Sequence, residues 1–198
     1  DRSSAASDVY KRQVFKKIKK FMLPGDYIAF KFSGKVNSTV CGLSEGIFWD
    51  FKNKSVSEEI LKIYDISSEL VPDIVPTFGV QSTVDKKGSM ESGLAEGTKI
   101  SYRAGDQPNN AMSLGVLNPG QVAATGGTSG VVYGISNGKF VKEMTRINNF
   151  AHVSYTSKSP LVGKLLNING AGIQYSWLKR LIGASSYEDM NNLSLIHI

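Results

Sequence analysis

One cysteine, Cys41, stands in 198 residues, so no disulfide can form within the chain. A disulfide-stapled secreted scaffold is excluded, and a reducing cytoplasm is the expected setting. Among its small polar neighbours Cys41 has no nearby base in sequence and reads as structural. Histidine is almost as scarce, with His152 and His197 alone. His152 lies in Phe150-Ala151-His152-Val153 with no second His or Cys close by, which favours a structural side chain over a metal ligand. No apolar run approaches the roughly 20 residues that cross a bilayer. The first residues are polar and hold no secretory core segment, so no membrane partner is expected. Internal repeats, low-complexity blocks and zinc spacings are also absent.

What remains is an ordinary globular composition, 41% hydrophobic and 20% charged, enough for one large domain or two small ones. Net charge is +6. The clearest basic cluster is Lys16, Lys17, Lys19 and Lys20 beside Val14, Phe15, Ile18 and Phe21, which reads as an amphipathic helix with a solvated lysine face. No aromatic-rich RNA motif accompanies it, so nucleic acid is not the expected partner. A basic balance equally suits a protein that handles phosphates.

The two ends mirror each other. Residues 8–13 read DVYKRQ and residues 193–198 read LSLIHI. The codons GAT GTG TAT AAG AGA CAG for the first have the reverse complement CTG TCT CTT ATA CAC ATC, which encodes the second. Such an inverted repeat is similar to transposon-end adapters used in sequencing libraries, and Ser3 to Ser7 fit an extension of one. The expectation is that residues 1–13 and 193–198 are adapter-like tails outside the fold, around a fragment cut without regard to domain limits. His197 then carries no information.

Within the interior, Val14 to Leu23 reads as a helix end stopped by Pro24-Gly25. Tyr27 to Phe32 fits a strand or a short helix. Gly34 to Gly46, rich in Gly, Ser, Thr and Asn, reads as loop. Ile47 to Phe51 is an aromatic strand or turn, with Phe48, Trp49 and Phe51 expected in the core. Ser55-Val56-Ser57-Glu58 matches a capping box ahead of a helix to about Ile66. Val71 to Phe78 is extended, Val80 to Val84 a short strand, and Lys99 to Ala104 the next. Pro108 to Val116 follows as a helix. Gln121 to Thr125 and Gly130 to Ile135 read as strands, and Phe150 to Tyr155 as another. From Gly170, the residues Ile173, Trp177, Leu178 and Leu181 share a helical face. The mixture predicts an α/β fold with ligands gathered at strand ends.

Three stretches carry candidate chemistry. In Ala104-Gly105-Asp106-Gln107-Pro108, Asp106 ends a strand. It either caps the next helix, where Pro108 fits the first turn, or accepts the proton of a substrate hydroxyl, with Gln107 orienting a second hydroxyl. Thr125-Gly126-Gly127-Thr128-Ser129-Gly130 is either a hairpin turn or a set of amides and hydroxyls for an anion. It is not a Walker A loop, since no Gly-Lys-Thr/Ser follows. Asn169-Gly170-Ala171-Gly172-Ile173-Gln174 opens a helix whose small residues either allow close packing or let a nucleotide approach the backbone, with Gly170 and Gln174 on one face. Glu45 and Asp50 are further acids that could approach the substrate cleft, and nothing in the sequence places them there.

The order of these stretches adds to them. Over nearly all of residues 14–192 the chain resembles the FGGY carbohydrate kinases, in their xylulokinase branch. The resemblance rests on DYIAFKFSGKVNSTVCGLSEGIFWDF, EGTKISYRAGDQPNNAMSLG, GQVAATGGTSGVVYGIS and INGAGIQYSWLKRL. It implies an actin-like ATPase architecture, a pair of ribonuclease H-like domains closing over a sugar and MgATP. Residues 14–114 would be the C-terminal part of the first domain and residues 115–192 the start of the second.

The same resemblance implies Asp106 as general base, with Asp106 and Gln107 on the sugar, and Gly127, Thr128, Gly170 and Gln174 on the nucleotide. It implies a cytoplasmic phosphotransferase with ATP and Mg²⁺ as cofactors, and allows a homodimer of the full-length enzyme. The acceptor it suggests is D-xylulose, giving xylulose 5-phosphate. Gly-Asp-Gln-Pro departs from the Gly-Asp-Asn of many xylulokinases toward the glycerol kinase branch. Glycerol, ribulose and gluconate, or a non-catalytic sensing role, therefore stay open. The family's N-terminal Asp-x-Gly-Thr segment and its C-terminal adenosine segment are not in the chain, so no metal ligand is assigned and the chain alone is expected to be inactive.

Overall fold

Pro24-Gly25 opens a helix instead of closing one. Proline suits a first helical turn, where its missing N–H leaves nothing unpaired, and helix α1 spans Pro24–Ser33. Gly34, at φ +65°, ends it by returning its N–H to Phe30 O. The ambiguous Tyr27–Phe32 is therefore helical. The computed structural model describes residues 13–139, 143 and 145–195, with side chains described to residue 193. Most of the adapter-like tails, residues 1–12 and 196–198, lies outside the described residues. The lysine cluster does not form the expected amphipathic helix: among the described residues the backbone is helical over 13–15, turns at 16–17 and is irregular from 18 to 23. Lys20 donates Nζ to Val71 O at 2.8 Å.

The chain divides into two units, residues 1–109 with 151–160, and residues 110–150 with 161–198. In the first, the expected loop Gly34–Gly46 is largely ordered. Strand β1, Asn37–Thr39, is buried at all its positions and leads into α2, Val40–Glu45. Thr39 caps α2, its Oγ1 accepting from Gly42 N at 3.1 Å. Strands β2, Trp49–Asp50, and β3, Ser55–Val56, pair antiparallel. This pairing uses Ser55, so the cap of α3, Glu58–Ile63, is Ser57 and not the expected Ser55. The helix stops short of Ile66 because Asp65 turns left-handed at φ +51°. After a 3-10 turn at Ser68–Leu70, β4, Asp73–Val75, pairs parallel with β1. Strands β5, Phe78–Thr83, and β6, Lys99–Tyr102, are antiparallel around α4, Lys86–Ser92, which Asp85 caps. Leu43, Leu61 and Val71 form the core with Phe21, Phe48 and Trp49. Trp49 and Phe51 stand edge-on to Tyr155.

Helix α5 runs Asp106–Ser113. The second unit then builds an antiparallel sheet in the order β7-β8-β10-β9. Its strands are β7, Val122–Gly126; β8, Gly130–Asn137; β9, Ile147–Ala151; and β10, Leu161–Ile168. The strand expected over Phe150–Tyr155 thus lies earlier. Ala111, Val116, Ala123, Tyr133, Ile135 and Leu165 make the core of this unit. Helices α6, Ala171–Leu181, and α7, Tyr187–Leu195, follow, and α7 runs into the sequence read as a tail. Ile173, Trp177 and Leu181 on α6 are exposed. Among the described residues no helix is long and apolar enough to cross a membrane.

Candidate active site

Strand β6 delivers Arg103 into a polar anchor. Its Nε donates to Asp26 Oδ1 at 2.7 Å, Nη1 to Gln81 Oε1 at 2.6 Å and Nη2 to Asn37 O at 2.8 Å, with Asn37 Oδ1 a further acceptor. Beyond it, Asn109 straps the turn. Its Nδ2 donates to Ala104 O at 3.0 Å, its N–H to Gly105 O at 3.2 Å, and its Oδ1 accepts from the Tyr102 hydroxyl. Asp106 emerges from this braced turn as the first residue of α5 and is exposed. Its Oδ1 accepts from the adjacent Gln107 N at 2.7 Å. A helix-capping side chain would instead serve an amide two or three residues on.

Asp106 lines a cavity of about 400 Å³ in the first unit, within the roughly 300–1,000 Å³ range of small-molecule sites. Its walls are the start of α1 from Leu23 to Asp26, the face of α2 at Thr39, Gly42, Glu45 and Gly46, and the turn from Arg103 to Asp106. Gln107 places Nε2 3.4 Å from Asp106 Oδ2, while its Oε1 is buried with no hydrogen-bond partner among the described residues. Ser38 Oγ, also buried and unpaired, lies 3.2 Å from where a Cβ on Gly42 would stand.

Glu45 is the acid that local sequence left unassigned and the fold brings to this wall. Burial first, then the charge and hydrogen bond of Asp106, push its carboxyl up to about 7. Asp50 goes elsewhere, accepting from Lys52 N at 2.8 Å and Asn53 N at 3.1 Å. Nothing in the Gly34–Gly46 composition marks Glu45, because the helix that carries it is held by burial rather than by local pattern. Arg103 had one weak signal, a charge closing an alternating strand. Cys41 is buried, donates Sγ to Ala151 O at 3.2 Å, and is pushed by burial to about 12. His152 is fully buried, and burial lowers it to about 4, so the ring is neutral near pH 7. Among the described residues no group of three His, Cys, Asp or Glu is arranged to hold a metal.

Asp106 and Gln107 belong to the first unit, whereas Gly127, Thr128, Gly170 and Gln174 belong to the second. There the fold joins the Gly-Thr turn to the start of α6. Gly172 N donates to Gly127 O at 3.1 Å and to Thr128 O at 3.0 Å, and Ile173 N to Thr128 O at 3.4 Å. A Cβ on Gly172 would collide with the Gly127 carbonyl, so glycine is what lets the helix start abut the turn. Two first-turn amides are thereby used within the chain. Gly127, Thr128 and Gln174 are exposed, and a Cβ on Gly126 or Gly170 would meet nothing within 4 Å. The result is an open backbone surface with a hydroxyl and an amide at hand, which fits the approach of a nucleotide.

Solved structures share this fold. Xylulose kinase from Rhodospirillum rubrum matches with a TM-score of 0.81 at 22% identity, covering 94% of this chain and 37% of that one. Gluconate kinase from Lactobacillus acidophilus matches with a TM-score of 0.83 at 19% identity and the same coverage of 94% and 37%. The fold is thus the actin-like ATPase architecture of the sugar kinases, present in part. Among curated relatives, xylulose kinase of Staphylococcus xylosus is 26% identical over 170 residues, 86% of this chain and 34% of the relative. The N-terminal domain of the FGGY family of carbohydrate kinases matches residues 9–113. The chain belongs to the FGGY family of carbohydrate kinases, and spans about a third of the length of the curated relatives it matches.

Proposed function

We propose that the chain is part of an ATP-dependent sugar kinase acting on a ketose, with D-xylulose the first candidate and xylulose 5-phosphate the product. The observation that carries this reading is Asp106, held at a strand end by a braced turn and exposed on the wall of a sugar-sized cavity. In that position it accepts the proton of a substrate hydroxyl as the oxygen becomes a nucleophile. Gln107, whose side-chain Nε2 lies 3.4 Å from Asp106 Oδ2, is the candidate for a second contact with a neighbouring sugar hydroxyl.

MgATP, when bound, supplies the phosphoryl group. Gly127 and Thr128 would hold its phosphates, and Gly170 and Gln174 would border the nucleotide. Mg²⁺ would come with the phosphates, since this chain offers it no ligand set among the described residues. On this reading residues 14–114 end the first domain and residues 115–192 begin the second. Xylulose leads because the curated relative above is a xylulose kinase. The fold does not choose, since the gluconate kinase matches it equally well.

The test uses the full-length protein that carries this segment. ADP release is measured with xylulose, ribulose, gluconate and glycerol. Asp106→Asn is expected to lower kcat by about 10²–10⁴-fold, the usual worth of a general base, while nucleotide binding persists. Absence of ADP release with every acceptor would end the kinase reading and leave a sensing role.

A further inference from the structure

The Glu45 carboxyl closes α2 on the cavity wall that Asp106 also lines. It occupies the space where a Cβ on Gly105 would stand, so glycine ahead of Asp106 is what allows the two acids to share that wall. Both sides of the pair are held from behind. Ser44 Oγ, on α2, donates to Cys41 O at 2.9 Å and accepts from Ala151 N at 2.8 Å. On the other side, Asn109 and Arg103 fix the turn.

The charged and titratable groups around the pair leave it uncompensated. Arg103 commits its guanidinium to Asp26, Gln81 and Asn37. Cys41, one turn before Glu45 on α2, is kept a neutral thiol by burial and so offers the pair no charge of either sign. Tyr102, behind the turn, is held neutral by burial and gives its hydroxyl to Asn109. Two carboxyl groups in contact without a cation between them favour the state with one shared proton.

We propose that Glu45 is a positioning residue for Asp106: neutral, it donates a hydrogen bond to the Asp106 carboxylate and fixes the orientation in which that carboxylate meets a substrate hydroxyl. The proposal rests on the kinase reading of Asp106. No bond forms or breaks at Glu45, and the substrate proton goes to Asp106. Burial together with Asp106 moves the Glu45 transition to about 7. Above it, two adjacent negative charges push apart, and the second one also opposes an incoming phosphate. The site then loses its orientation as pH rises through neutrality.

Two measurements test this. In the 198-residue chain, the Glu45 side-chain carbon is followed by ¹³C NMR, with a midpoint near 7 expected. A midpoint in the ordinary carboxylate range overturns the proposal. In the full-length protein, kcat/KM for the sugar is expected to fall about tenfold per pH unit above the Glu45 transition. Glu45→Gln cannot ionise yet still donates, so it should lose that falling limb, whereas Glu45→Ala should lower kcat below the transition, where the wild-type hydrogen bond is present, and not above it. A Glu45→Gln enzyme that keeps the wild-type limb overturns the proposal. A wild-type protein without ADP release on any acceptor defeats the kinase reading instead, and the NMR midpoint distinguishes that failure from a missing carboxyl pair.

Discussion

Arg103 and Asp26 form a buried ion pair, Nε to Oδ1 at 2.7 Å, with side chains only 10% and 5% exposed. The pair ties the start of α1 to the end of β6, three residues before Asp106. A buried pair adds little net stability over an apolar substitute, but removing one member strands the other charge. Arg103→Met should therefore cost about 3–5 kcal/mol in chemical denaturation. Arg103→Lys should recover only part of it, since an ammonium cannot reproduce the forked bonds to Asp26, Gln81 and Asn37. Wild-type stability in Arg103→Met would show that the pair does not hold the turn.

Gly105 is defined by its neighbour. A Cβ there would overlap the Glu45 carboxyl, so Gly105→Ala must displace one wall of the cavity. The expected loss is about 1–3 kcal/mol, the usual cost of overpacking. Glu45→Ala should relieve it, giving a favourable coupling in a double-mutant cycle measured by denaturation. Additive effects would mean that the two residues do not meet.

The contrast between Asp106 and Glu45 shows what the sequence made legible. Asp106 follows an alternating run and precedes a proline, and both signals are local. The β7–β8 hairpin was readable for the same reason, with Gly126 and Gly130 marking its turn. Glu45 sits at the end of a short helix inside a stretch whose Gly, Ser, Thr and Asn content reads as loop. Burial of β1 and its parallel pairing with the distant β4 order that stretch, and periodicity does not reveal a contact so far along the chain. Pro24 opens α1 where a stop is expected, because proline suits a first helical turn as readily as the residue after a helix end. Helix α4, KKGSMES, has no apolar stripe, and its order comes from the Asp85 cap and from Gly88 lying against the Phe32 backbone.

Stability should depend on pH through Glu45. Its folded-state pKa, about 7, lies above the reference 4.5. A raised carboxyl favours the fold while protonated, so its contribution is complete below about 4.5 and is lost as pH rises to about 7. Glu45→Gln removes that loss. The melting temperature of the variant relative to wild type should rise across this window and level off above it. A difference that stays flat with pH would show that Glu45 titrates normally.

Gly172 and Gly126 offer a matched comparison in the second unit. A Cβ on Gly172 would strike the Gly127 carbonyl, while one on Gly126 would meet nothing within 4 Å. Gly172→Ala must therefore separate α6 from the turn and break the bonds from Gly172 N to Gly127 O and Thr128 O. It should cost about 1–3 kcal/mol, whereas Gly126→Ala should stay within about 0.5 kcal/mol, as exposed substitutions do. Amide hydrogen exchange gives a local reading, with faster exchange at Gly172 and Ile173 in the first variant only. If 127, 128 and 170 act together on a nucleotide, Gly172→Ala in the full-length protein should also weaken ATP binding more than Gly126→Ala does. Equal losses from both substitutions would mean that the abutment of turn and helix is not what shapes this surface.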